Sequence, residues 1–245
     1  MKELIIKILH HLLGYERYLR IFSIFKIVTL RLDKRKADFL YFNKLMDENA
    51  TIIVVGACTG ITTIPLAQNK LKRNVFAYEP LSSNYKVLTK IVNHYKLFNV
   101  RTFNLGLADI SEQKEMILPV IRGVKKQGMA HVKDTSILLY NEGLSESVKF
   151  DCLDNRPELK DIKIAGIKVV AENFEFQVFE GAKKIIEHNR PIIYCELWAN
   201  EKRKQVLELI MKYNYEVFYR KHNQLKLFNK DDYSGKNFFF KPKYE

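Results

Sequence analysis

Apolar positions along the first fifty residues recur at helical spacing. Leu4, Ile5, Ile8, Leu9, Leu12 and Leu13 form one such set, and Gly14 is a natural stop. Tyr18, Leu19, Phe22, Phe25 and Ile27 form a second set. Lys34-Arg35-Lys36 interrupts the pattern, and a third helical stretch follows from Asp38 to Met46 with Phe39, Leu40, Phe42 and Leu45 on its apolar side. From Thr51 the pattern changes to short apolar runs separated by amphipathic ones. Strands are expected at 51–55, 74–78, 100–105, 164–170 and 191–196, with helices at 62–71, 83–96, 175–188 and 201–213. Such alternation predicts an α/β fold whose parallel sheet is covered on both faces. Between Ser111 and Asp151 the pattern weakens. Glu115–Val120 reads as an extra strand and Arg122–Thr135 as a loop or lid. Three short runs, 215–219, 225–228 and 237–240, read as an antiparallel edge. The organisation expected is an N-terminal helical extension, 1–48, and one α/β domain, 49–245.

Charge and cysteine content narrow the setting. Lys and Arg number 41 against 28 Asp and Glu, a net charge of +13. This favours acidic partners without choosing among nucleic acid, anionic lipid and glycan. The bases are dispersed, and no RRM, KH or zinc-knuckle signature appears, so specific nucleic-acid binding is not expected. Up to Lys36 the bases are Lys2, Lys7, Arg17, Arg20, Lys26, Arg31, Lys34, Arg35 and Lys36, and the acids are Glu3, Glu16 and Asp33. Basic amphipathic helices of this kind suit peripheral contact with an anionic membrane. They equally suit packing on the main domain, which is the preferred reading because amphipathic helices most often serve a core. Cys58, Cys152 and Cys195 are scattered, with no disulfide framework and no metal-ligand spacing. No metal is expected, and a reducing cytoplasm is the compartment they fit. The first residues lack the long apolar core and cleavage site of a signal peptide.

The chemistry concentrates at strand ends. Thr51-Ile-Ile-Val-Val-Gly-Ala-Cys-Thr-Gly60 is a β-branched run that ends in a Gly-x-x-x-Gly turn, and Tyr78-Glu79-Pro80 ends the next strand in an acid. Glycine admits a tight turn and close approach of a ligand to the backbone. A carboxylate ending the second strand can accept both hydroxyl hydrogens of a ribose. A third glycine is absent, which favours a mononucleoside-type cofactor over a dinucleotide, and there is no P-loop.

These motifs, in order, resemble the FkbM family of S-adenosylmethionine-dependent methyltransferases. They are Val54-Val-Gly-Ala-Cys-Thr-Gly60, Ala77-Tyr-Glu-Pro80, Asn104-Leu-Gly-Leu-Ala-Asp109, Ile167-Lys-Val-Val-Ala-Glu-Asn-Phe-Glu175, Val178-Phe-Glu-Gly-Ala182 and Arg190-Pro-Ile-Ile-Tyr-Cys-Glu196. The resemblance covers roughly Asn49 to Tyr219. It implies a Rossmann-like class I methyltransferase fold with a mostly parallel seven-stranded sheet. It also implies S-adenosyl-L-methionine as cofactor and O-methylation of a hydroxyl on a small molecule or glycan. Its pattern places Gly56, Ala57, Cys58 and Gly60 around the methionine end, Glu79 with Pro80 at the ribose, and Asp109 near the adenine.

The chain departs from that pattern at three positions. Val54 and Val170 stand where the family has Asp, and Cys58 where it has Asn. These changes make the lip of the sheet more apolar and support a second expectation, a catalytically impaired protein of the same fold acting as a binding or structural module. For catalysis the candidates are Glu172 as general base, Lys168 on the same motif, and His131 in the lid. Glu172 reads equally well as a carboxylate balancing a helix dipole. A lone loop histidine is more often not catalytic. Trp198 reads either as a stacking surface or as a core-edge aromatic.

Overall fold

The structure is a computed structural model and describes residues 2–134 and 140–243. Three helices open the chain: α1 (Lys2–Leu13), α2 (Tyr15–Val28) and α3 (Ala37–Leu45). Then come β1 (Thr51–Val55), α4 (Thr63–Ala67), β2 (Asn74–Tyr78), α5 (Ser82–His94) and β3 (Val100–Phe103). A β-rich insertion follows, made of β4 (Gly106–Leu107), β5 (Glu112–Ile121), β6 (Val124–Lys125), β7 (His131–Val132) and β8 (Gly143–Asp151). The chain then returns through β9 (Gly166–Val169), α6 (Glu175–Glu180), α7 (Lys183–Asn189), β10 (Ile192–Glu196) and α8 (Glu201–Lys212). It finishes with β11 (Tyr215–Lys221), β12 (Gln224–Leu227) and β13 (Asn237–Pro242).

The main sheet runs β12-β11-β13-β10-β9-β1-β2-β3. The five strands from β10 to β3 are parallel, and β13, β11 and β12 pair antiparallel. β1 is buried at every position, as a β-branched strand covered on both faces must be. Alternation divides the core. Ile53, Val55, Ile167 and Val169 face the layer of α6, α7 and α8. Ile52, Val54, Val75 and Ala77 face α4 and α5, and also Leu19 and Ile27 of α2 and Phe39 and Phe42 of α3. The sheet has eight strands rather than the seven expected. The one beyond the seven that the resemblance implies is β12, the expected run 225–228, folded back on β11 by the polar turn after Lys221, with its residues largely exposed at the edge.

Two expected helices are shorter than their apolar patterns. The run 62–71 holds only α4, because Asn69 takes a left-handed φ of 60° and Gln68 is already extended. The run 175–188 divides at Gly181. A Cβ there would lie 1.9 Å from the Ala108 carbonyl oxygen, so this backbone packs against the strand that leaves β4. The weakly patterned insertion is itself a sheet, ordered β4-β8-β5-β6 with β7 also on β5. The expected strand at 115–120 lies within β5. Its partner β8 is mostly exposed and polar, which left it without an apolar signature. Of the expected lid, Thr135 lies outside the described residues.

The packing of α2 and α3 leads to a prediction about the extension. Ser23 Oγ donates to Thr59 Oγ1 at 2.7 Å in the buried contact between α2 and the β1 turn. A chain starting at Asn49 is therefore expected to expose the face of β1 and β2 that carries Ile52, Val54 and Val75, and to lose solubility. Light scattering and thermal unfolding check this; a truncated chain that stays monomeric with unchanged Tm would contradict it.

Candidate functional site

The parallel strands β1, β2 and β9 deliver their last residues to one lip of the sheet. A cleft there is lined by Gly56, Cys58, Tyr78, Glu79 and Asn84 on one side and by Val170, Glu172 and Phe174 on the other. Gly56 has φ 69°, and a Cβ on it would fall 2.0 Å from the Val170 carbonyl oxygen, so β1 and β9 exits meet here only with glycine. Glu79 is 4% exposed and turns onto the glycine turn. Its carboxylate accepts from Cys58 N at 2.7 Å, Leu81 N at 3.1 Å and Asn84 Nδ2 at 3.2 Å. Asn84 Oδ1 is buried and has no hydrogen-bond partner among the described residues. Leu105, Leu107, Met116 and Phe150 supply apolar walls.

On the β9 side, Glu172 and Asn173 adopt consecutive left-handed conformations, φ 48° and 74°. Strain of this sort concentrates at functional positions. Glu172 lines the cleft and makes no hydrogen bond among the described residues. Burial, with Glu196 and Glu175 nearby, lifts its carboxyl to about 7. Glu175 caps the turn by accepting from Ala171 N at 2.8 Å. Lys168 lies beneath, 4% exposed, between Val54 of β1 and Tyr194 of β10 in register. Its ammonium donates to the Gly56 carbonyl at 3.4 Å, and burial lowers it to about 8.

The insertion closes the cleft. Gln127, Gly128, Ala130 and Val132 line its outer wall, and the Gln127 carbonyl lies 3.5 Å from Asn84 Nδ2 and 3.9 Å from the Cys58 thiol. The enclosed space is about 100 Å³. Small-molecule pockets run from roughly 300 Å³ upward, so the 127–130 segment leaves this cleft narrow.

The expected site residues thus divide. Gly56, Cys58, Glu79, Pro80 and Glu172 line the cleft. Ala57 and Gly60 belong to the same turn but are buried behind it. Asp109 is exposed and outside the lining. His131 is also outside: it is 1% exposed, with Nδ1 at 2.9 Å from the Met129 carbonyl and Nε2 at 3.0 Å from Asn141 Oδ1. Trp198 follows β10 without reaching the cleft. Asn84, Gln127, Phe150 and Phe174 carried no signal of their own in the sequence. Only the amide of Asn84, five residues beyond Glu79 in the first turn of α5, was placed where it could have been suspected.

Charge burial here sets a pH dependence of stability. Burial lifts Glu79, Glu172 and Glu175 from 4.5 to about 7. Between those values the native protein holds protons that the unfolded chain releases, so stability falls as pH rises through that window. Lys168 reverses the slope between about 8 and 10.5, where the unfolded chain binds the extra proton. The Tm is expected to drop by several degrees from pH 5.5 to 7.5, at roughly 2–4 °C per kcal/mol for a chain of this size. Thermal unfolding across that window checks it, and Glu175→Gln should flatten the slope.

Comparisons with known proteins bear on the fold. No protein-family model matches the chain, and no curated protein does either. Among solved structures, it superposes on methyltransferase FkbM from Methylobacillus flagellatus KT with a TM-score of 0.53 at 12% identity, over 81% of this chain and 45% of that one. The chain has a methyltransferase fold. It also superposes on an S-adenosylmethionine-dependent O-methyltransferase from Thermotoga maritima, with a TM-score of 0.50 at 12% identity, covering 90% of this chain and 72% of the other. The chain spans less than half the length of the FkbM enzyme. The expected Rossmann-like α/β architecture is therefore the observed one.

Proposed function

We propose that this protein is an S-adenosylmethionine-dependent methyltransferase that acts on a hydroxyl of a small molecule or glycan. The observation that carries the reading is Glu79, a carboxylate at the end of β2 turned onto the Gly56 turn at hydrogen-bond distance from Cys58 N. The donor and acceptor set fits the nucleoside half of such a cofactor. Glu79 and Asn84 Oδ1 can both accept from hydroxyl or amino groups, and Leu105, Met116 and Phe150 give the cleft apolar walls. When bound, the cofactor supplies a methyl carbon on a positively charged sulfur. Glu172, which lines the same cleft, would take the proton of the acceptor hydroxyl. A carboxyl near 7 suits this role at neutral pH. Dispersed bases give no support to a specific nucleic-acid acceptor.

A second reading, the impaired protein of the same fold, draws on Val54 and Val170. Val54 is fully buried and Val170 lines the cleft, both apolar where the resemblance implies a carboxylate. Calorimetry with S-adenosylhomocysteine separates the two. Micromolar binding supports the enzyme; no binding up to millimolar ligand supports the impaired module. The triple change Val54→Asp, Cys58→Asn and Val170→Asp is expected to tighten cofactor binding at least tenfold while lowering the Tm of the free protein, because buried carboxylates carry a desolvation cost. Lys168, beside Val54 in register, offsets part of that cost. Thermal unfolding with and without ligand reads both effects.

A further inference from the structure

The N-terminal helices are only half absorbed by the fold. On α2, Leu19, Ser23 and Ile27 are buried toward the sheet. On α1, His10 packs its ring on Tyr15 and Tyr18, at centroid distances of 5.3 and 4.4 Å. The outer faces are different. Leu4, Ile5, Ile8 and Leu12 of α1 are 62%, 52%, 50% and 71% exposed. Ile21, Phe25 and Val28 of α2 are 54%, 61% and 74% exposed. Spacings of three and four residues place each set on one stripe of its helix. Single exposed apolar residues are ordinary, but two ordered stripes on consecutive helices are an interaction surface.

Charge decides what the surface fits. The three acids of this segment are each neutralised: Glu3 by Arg122, Glu16 by Lys90, and Asp33 by Lys26 and Arg35. Lys7, Arg17, Arg20, Arg31 and Lys34 are exposed and have no ion pair within 4 Å among the described residues. By helical spacing Lys7 and His11 border the α1 stripe, and Arg17 lies in line with Ile21, Phe25 and Val28. A second copy of a chain with net charge +13 would bring like charges together across such a face. An anionic bilayer answers both features, because its headgroups meet the bases and its acyl boundary receives the stripes. Among the described residues no helix is long and apolar enough to cross a membrane, so the helices would lie in the interface.

We propose that α1 and the outer face of α2 form an amphipathic anchor that seats this protein on the surface of an anionic lipid bilayer. The inference is independent of the cofactor reading, since none of its residues lines the cleft. The experiment is co-sedimentation of the full chain with vesicles of phosphatidylcholine containing about one third phosphatidylglycerol, against vesicles of phosphatidylcholine alone. The chain is expected to pellet with the anionic vesicles and to be released by added salt. Ile8→Glu with Leu12→Glu should weaken binding at least about tenfold, since both side chains would leave the acyl boundary. Arg17→Glu with Arg20→Glu should remove the preference for anionic lipid, at about fivefold per base lost. All four positions are exposed, so both variants should keep the parent Tm. Failure of the full chain to bind anionic vesicles overturns the proposal, as does equal binding by the Ile8→Glu, Leu12→Glu variant. A dimer that this variant disperses, without vesicle binding, assigns the face to a second copy and overturns it too.

Discussion

Glu79→Ala is expected to weaken S-adenosylhomocysteine binding at least 100-fold. Charge-assisted hydrogen bonds are worth about 1.5–3 kcal/mol each, and a ribose offers two hydroxyls to one carboxylate. Losing both spans two or more factors of ten in Kd. The same change orphans three donors, Cys58 N, Leu81 N and Asn84 Nδ2, so the free protein should also melt earlier. Glu79→Gln separates the two effects. It keeps an oxygen for the backbone donors and loses the charge, so its binding should fall by about tenfold with a smaller change in Tm. Calorimetry and thermal unfolding on the three proteins provide the check. If Glu79→Ala binds the ligand as the parent does, the nucleoside lies elsewhere and the assignment of this cleft is wrong.

What made Glu79 visible in the sequence also explains what stayed hidden. Thr51–Val55 is a β-branched run that ends in glycine, and Asn74–Tyr78 ends in an acid; both signals are local, and both strands form where the pattern puts them. Parallel neighbours in register then bring the two ends together without further information. The insertion is different. Its long strand β8, between β4 and β5, buries only Val148 and Phe150 and reads as polar, and the segment 127–130 that covers the cleft is held by contacts with Cys58 and Asn84, far away in sequence. No spacing rule reports such contacts. Asp109 and His131 likewise have chemistry suited to a site but lie outside the cleft lining. The chain after β4 turns away along the Gly181 backbone, and the β7–β5 pairing buries His131 within the insertion. The outer stripe of α1 is the opposite case, since the periodicity was plain but whether anything covers it is decided only by tertiary packing.

Arg73 is the clearest residue that the sequence concealed, and substituting it is expected to have the largest effect on stability. It ends the basic run Lys70-Leu-Lys-Arg73, yet it is fully buried. Its guanidinium donates to Asn43 Oδ1 at 2.6 Å, the Leu66 carbonyl at 3.0 Å and the Met46 carbonyl at 2.5 Å, with the Asp47 carbonyl at 3.0 and 3.1 Å. These acceptors come from α3, from the turn after it and from α4, so one planar side chain with five donors joins three segments around the start of β1. Arg73→Met removes the charge and fills much of the same space, but it leaves those acceptors facing apolar surroundings. Each unsatisfied buried acceptor costs about 1–3 kcal/mol, partly recovered by relaxation, so a loss of at least about 3 kcal/mol is expected. Arg73→Lys keeps the charge but reaches fewer of the carbonyls and should fall between the two. Denaturant unfolding of the three proteins gives the comparison. A variant Arg73→Met as stable as the parent would show that water, not the guanidinium, satisfies these carbonyls.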